Sequence, residues 1–195
     1  VDVVLGVTAY EIASSVKTAA TAARRGERVV ADISSQVSRA VARLVGETEA
    51  LGGQGIYLAR HAARGVMHAS EEVPVSAGHL TREGIIGILE ALKKASIDPL
   101  DAIWEVSYGA VQGADEVGAD VAEVATQTLA GAKEAARGLG LPENEVVVQV
   151  TQGTLGAAES IGPEAAHGIR IALLEKDERR KTEDEPSPPA PLSEG

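Results

Sequence analysis

The motif Gly-Ala-x-Glu recurs three times in the second half of this chain, as Gly113-Ala114-Asp115-Glu116, Gly131-Ala132-Lys133-Glu134 and Gly156-Ala157-Ala158-Glu159. Its spacings of 18 and 25 residues are close to whole numbers of α-helical turns. Each copy therefore puts a small pair on one side of a helix and a carboxylate on the other. Glycine and alanine remove the side chains that hold two helix backbones apart, so the motif marks close helix approach and speaks of packing rather than chemistry. The composition agrees. Of 195 residues 44% are hydrophobic, yet there are 21 Gly, no Phe, one Trp, three Tyr and one Met, so the core must be a thin one of aliphatic and small side chains. The length suits one domain or one array of helices.

Helix punctuation runs along the whole chain. Thr8-Ala9-Tyr10-Glu11 has the form of a capping box, in which a hydroxyl and a carboxylate three residues on satisfy free amides reciprocally. Residues 27–45 carry helical periodicity through Val29, Val30, Ile33, Val37, Val41 and Val45, with Gly46 as a stop. A third helix covers about 56–69, after the loop Gly52-Gly53-Gln54-Gly55. Proline, glycine and polar residues at 70–79 make the best internal boundary. Beyond it Thr81 reads as an N-cap, Lys93 and Lys94 suit a helix C-terminus, and Asp98-Pro99 is the strongest start signal in the chain. Asp120 and Glu123 form another capping pair. The run Val146-Val147-Val148-Gln149-Val150-Thr151 has strand propensity, but Pro142 and the acids Glu143 and Glu145 at a helix start favour helix. Gly162-Pro163-Glu164 opens a last helix, and from Lys176 the charged, proline-rich sequence has too little to bury to repay its ordering entropy.

These signals predict an all-α protein of seven to eight amphipathic helices in consecutive antiparallel hairpins, as a bundle or short solenoid with a disordered C-terminal tail. The expected organisation is a mildly basic helical segment at 1–69, a linker at 70–80, a helical repeat segment at 81–175 and a tail at 176–195.

The sequence offers several places where chemistry might be sought, each with a plainer reading. Gly53-x-Gly55 with Arg60, His61 and Arg64 invites a phosphate cradle, but Leu58 stands where a dinucleotide fingerprint needs its third glycine, and a flexible loop is expected. His61 and His68 would lie about two helical turns apart, too far to share one ion unless Glu71 or Glu72 folds back, and His79 and His167 stand in no ligand-spaced cluster. The acids Asp115/Glu116 and Asp120/Glu123 are expected to cap helices and face solvent. No Gly-x-Ser-x-Gly elbow is present. Neither a catalytic site, a metal site nor a cofactor is expected. Trp104, the one tryptophan, could serve as an interface anchor, but its place among Leu100, Ile103 and Val111 favours a core anchor. Gly109-x-x-x-Gly113 and Ala110-x-x-x-Ala114, with Gly131, Ala132, Gly156 and Ala157, are the candidate helix-contact or interface residues, within or between chains.

The net charge is −11, which argues against nucleic acid as a partner, since phosphates need a basic surface. The charge is uneven. Residues 1–69 hold eight Lys or Arg against six Asp or Glu, whereas the rest hold ten against twenty-three, an asymmetry that favours head-to-tail association or an anionic surface meeting the first third. Arg24, Arg25 and Arg28 are the candidate surface-binding residues. There is no Cys, no signal-peptide pattern at the start and no apolar run of the ~20 residues that span a bilayer, so the cytoplasm is the expected location.

The segment from Val124 to Gly138, Val-Ala-Thr-Gln-Thr-Leu-Ala-Gly-Ala-Lys-Glu-Ala-Ala-Arg-Gly, resembles in composition the Ala/Gly/Thr/Gln-rich amphipathic helices of bacterial phasins, which coat polyester storage granules, and those of other bacterial helical repeat proteins. The resemblance covers about a third of the chain and implies a self-associating, granule-binding helical protein without catalytic residues. Residue chemistry alone leads to a structural or scaffold protein that self-assembles, as a homo-oligomer, or docks onto a protein partner through small-residue helix faces. The alternatives are a peripheral membrane- or granule-surface binder, and a small-ligand or enzymatic role between helices.

Overall fold

The computed structural model describes Tyr10, Glu11, Ala13, Ser14, Thr18 and residues 33–48, 55–71 and 76–183. Among these lie seven long helices: α1 (Ile33–Thr48), α2 (Gly55–Ala69), α3 (Ala77–Lys94), α4 (Pro99–Glu116), α5 (Val121–Leu139), α6 (Glu143–Ile161) and α7 (Pro163–Glu183). From α1 to α6 each helix begins 22 residues after the one before. The unit of the fold is thus a single helix and its turn, and no strand occurs among the described residues.

The turns are near copies. Asp98 and Asp120 cap their helices as expected, Oδ1 of Asp98 accepting from the Leu100 amide at 3.0 Å and Oδ1 of Asp120 from those of Ala122 and Glu123 at 2.9 and 3.1 Å. Ser76 caps α3 in the equivalent place, accepting from the His79 amide at 3.2 Å. The N-cap expected at Thr81 is therefore a correction: Thr81 is buried inside α3, and residues 77–80 of the expected linker are helical. At the other end of the turn, the amides of Ile97, Ala119 and Leu141 donate to the carbonyls of Leu92, Ala114 and Ala136 at 2.8–2.9 Å. This six-to-one bond closes a helix end over a left-handed residue. That residue is Ser96 (φ 60°), Gly118 (φ 67°) or Gly140 (φ 70°), and glycine adopts the conformation without the Cβ clash that serine carries.

Consecutive helices run antiparallel, yet the most extensive packing joins each helix to the one two places on. Two layers result, α1-α3-α5-α7 and α2-α4-α6, so the chain forms a two-layer solenoid rather than a closed bundle. One apolar core, from Ala13 through Val37, Leu58, Met67, Leu80, Leu89, Ile103 and Val124 to Val150, runs between the layers and continues on both sides of residues 70–80. A smaller cluster of Val111, Ala125, Ala157, Ala158, Ala166 and Ile169 seats α7.

The ambiguous stretch 146–151 is helical within α6. Val146 and Val150 are buried four residues apart while Val148 is exposed, the spacing of a helix face. The last helix extends to Glu183, beyond the tail boundary expected at 176. Residues 184–195, Thr8 and the loop glycine Gly53 lie outside the described residues.

Candidate interaction surface

Within each layer the helices meet through a glycine at one fixed place in the unit. Gly65, Gly87, Gly109, Gly131 and Gly153 follow one another at 22-residue intervals. A Cβ on Gly87 would collide with the carbonyl oxygen of Ser34 and one on Gly109 with that of Arg60; on Gly131 it would lie 2.7 Å from the Arg82 oxygen, and on Gly153 2.5 Å from that of Trp104. Each helix therefore has an inserting edge, which carries the glycine, and a receiving edge, whose backbone the next glycine meets. Only a residue without a side chain permits that approach.

The candidate contact residues fall into this scheme. Gly113 faces Met67 and Arg64, Gly131 faces Arg82, and Gly156 lies 3.4 Å, measured from its would-be Cβ, from the Trp104 ring. Ala110, Ala114, Ala132 and Ala157 are buried. All are helix contacts, and they lie within one chain. Of the two readings, within or between chains, these contacts are of the first kind: the small faces are covered by the chain's own helices.

Outside the glycine joints, ion pairs clamp the layers. Nε of Arg60 on α2 donates to Glu105 of α4 at 2.5 Å, with side chains only 27% and 13% exposed. Arg64 donates to Glu116 at 2.6 Å, and His68 Nε2 lies 3.0 Å from the same carboxylate oxygen. Across the other layer Arg82 donates to Glu134 at 2.6 and 2.9 Å. The partly buried Arg60 pair is the strongest of these by geometry, because exposed pairs contribute ~1 kcal/mol or less. The Arg60 guanidinium also lies 4.2 Å from the Tyr108 ring centroid and 5.4 Å from that of Trp104, and the two rings stack at 5.0 Å. Trp104 is consequently half-buried under a cation at a layer joint rather than inside the apolar core.

The residues weighed for chemistry are dispersed. Glu116 is held by Arg64 and His68, Asp120 is a cap, and Asp115 is exposed. His68 is near Glu71, at 3.9 Å, as well as Glu116, while His79 and His167 are exposed elsewhere. Among the described residues no three or more His, Cys, Asp and Glu gather into a metal-binding group. Glu72, Arg24, Arg25 and Arg28 lie outside the described residues. Among the described residues one buried side-chain polar atom lacks a partner, the hydroxyl of Thr128 on α5.

What remains open is the end of the array. Val148 on α6 stands 22 residues after Thr126 and 44 after Trp104, on the receiving edge, and with no helix two places on it is 52% exposed. Leu174 on α7 is 65% exposed and Ile171 43%. At the opposite end of that layer Ser35, Arg39, Arg43 and Gly46 form an exposed stripe along α1. The period and these open edges were missed in the sequence, although the glycine series was there to be read. No helix among the described residues is long and apolar enough to cross a membrane.

No protein-family model matches the chain, and no curated protein is similar to it. Its structure is similar to the crystal structure of a de novo designed helical repeat protein, with a TM-score of 0.54 at 16% sequence identity, covering 88% of this chain and 95% of the other. The likeness extends over nearly the whole array, and it establishes the chain as having a helical-repeat fold.

Proposed function

We propose that this protein is a non-catalytic scaffold, a rigid helical array that self-assembles or docks a protein partner by its edges. The observation that carries this reading is the use of the chain's polar groups. The arginines of α2 and α3 are engaged across joints, Asp98 and Asp120 are caps, and Gly87, Gly109, Gly131 and Gly153 are spent on internal packing. A repeat fold of this kind offers extended surface and modular length instead of a reaction centre.

A granule-coating role of the phasin kind calls for a broad exposed apolar face. The exposed large apolar side chains described here are Tyr10, Tyr57, Val148, Ile171 and Leu174, too scattered for such a face, and this favours the scaffold. The test is absolute mass by light scattering over a concentration series, paired with thermal melting against a panel of metabolites and metal ions. Species heavier than the 20.0 kDa chain, with no ligand-dependent stabilisation, are the expected result. A strict monomer whose melting temperature rises with one small molecule would replace the scaffold with a ligand-binding or enzymatic role.

A further inference from the structure

We infer that α7 is a releasable lid, a helix that leaves the array and returns to it as one piece while α1–α6 stay folded. Its turn differs from the others. The amides of Ile97, Ala119 and Leu141 each close the end of the helix before them, and the residue 22 places after Leu141 is Pro163, which has no N–H to give. The carbonyl of Ala158 accepts instead from the Gly162 amide at 2.9 Å, and Gly162 alone joins α6 to α7.

The joint differs as well. The glycine column ends at Gly153, and 22 residues later stands the exposed Glu175. A glutamate side chain forbids the backbone approach that Gly109 and Gly131 permit, and α7 lies on α5 less extensively than α5 lies on α3. Of residues 163–175 only Ala166 and Ile169 are buried, and the apolar cluster they join is separate from the main core. Arg170 reaches Glu159 of α6 at 3.8 Å with side chains 53% and 67% exposed, a pair of little strength. Residues 176–183 contain no apolar residue. Few buried contacts, a short hinge and a cluster of its own are the marks of a unit that opens at less than the free energy of global unfolding. Release of α7 opens the cluster of Val111, Ala125, Ala157 and Ala158 from that side, so the lid gates a small-residue surface on α4 to α6. It acts on how the array opens, whether or not copies of the array assemble.

The chain contains no Cys, so a single introduced thiol reports opening by its rate of labelling in dilute solution. Ala166→Cys reports on α7 and Ala102→Cys on α4; both stand fourth in their helices and are buried, at 4% and 0% exposure. The first thiol should label at least about a hundredfold faster than the second, and with a shallower urea dependence because release of the lid exposes little surface. Adding Leu89→Ala, in the main core, should speed labelling of the second thiol by roughly a hundredfold. It should leave the first unchanged, since it destabilises the closed and open lid equally. Equal rates and urea slopes for the two thiols, or equal acceleration of both by Leu89→Ala, would overturn the lid. Amide hydrogen exchange of the unsubstituted chain makes the same comparison without a variant. Faster exchange in α7 than in α4, again with the shallower urea dependence, is expected, and an α7 protected as well as α4 would overturn the lid too.

Discussion

Replacing Gly109 by alanine isolates the joint on which the fold depends. The added Cβ would collide with the Arg60 carbonyl oxygen and lie 2.8 Å from its carbon and 2.9 Å from its Cα. All three are backbone atoms in the middle of α2, so no rotamer change relieves the contact. Reaching ordinary van der Waals distances of ~3.5 Å or more from all three atoms requires α2 and α4 to separate by about 1 Å or more. The shift also stretches the Arg60–Glu105 and Arg64–Glu116 bridges, which span the same joint at 2.5 and 2.6 Å. Overpacking of this severity costs about 3 kcal/mol, while alanine recovers about 1 kcal/mol of helix propensity. The net expectation is a loss of about 2 kcal/mol, or a Tm lower by roughly 4–8 °C in a chain of this length. Gly138→Ala on α5 is the internal control. A Cβ there meets nothing within 4 Å, so only the propensity remains and the Tm should rise by a few degrees. Urea denaturation and thermal melting of both variants decide the matter. A neutral or stabilising Gly109→Ala, or two shifts of the same sign, would show that the glycine joints do not hold the helices of a layer at their present distance.

Three further substitutions probe the unit. Thr128→Val removes a buried hydroxyl that has no partner and should stabilise by about 1 kcal/mol, seen as a higher urea midpoint at unchanged slope. Ser96→Gly relieves a left-handed serine at φ 60°; the conformational gain of about 1–2 kcal/mol exceeds glycine's added flexibility, and a lower urea midpoint would contradict it. Asp120→Ala strips the acceptor from the amides of Ala122 and Glu123 and should cost about 1 kcal/mol, with loss of hydrogen-exchange protection in the first turn of α5 as its signature.

The parts of the fold legible in the sequence are those written in local chemistry. Asp98-Pro99 and Asp120 announce their helices because a cap needs only its own neighbours. The apparent repeat, by contrast, was misread. Gly113, Gly131 and Gly156 share a motif but occupy different places in the 22-residue unit, and they meet Arg64 and Met67, Arg82, and the Trp104 ring respectively. The true period lies in single columns, glycine at 87, 109, 131 and 153 and a positive φ at 96, 118 and 140. Between those columns the core positions drift freely: Leu58, Leu80, Ala102, Val124 and Val146 are equivalent and all buried. Packing asks of them only that they be apolar and fill their volume, so the period leaves few fixed letters. Trp104 was placed in the core because composition suggested scarcity of large apolar residues. Its cover by Arg60 and Tyr108 depends on a helix more than forty residues away, a relation invisible to local reading. Thr81 misled for a related reason: its hydroxyl donates to the Ala77 carbonyl at 2.7 Å, the in-helix habit of the same side chain that elsewhere caps.

The alternation of layers bears on how such a chain is made. The bridges across joints link residues 45 to 56 apart in sequence, from Arg60 with Glu105 to Ser38 with Lys94. During synthesis a helix waits only for the second one after it to leave the ribosome before its receiving edge is occupied. The array can therefore be laid down in order from its first helix, with little of the finished part left sticky behind the growing end.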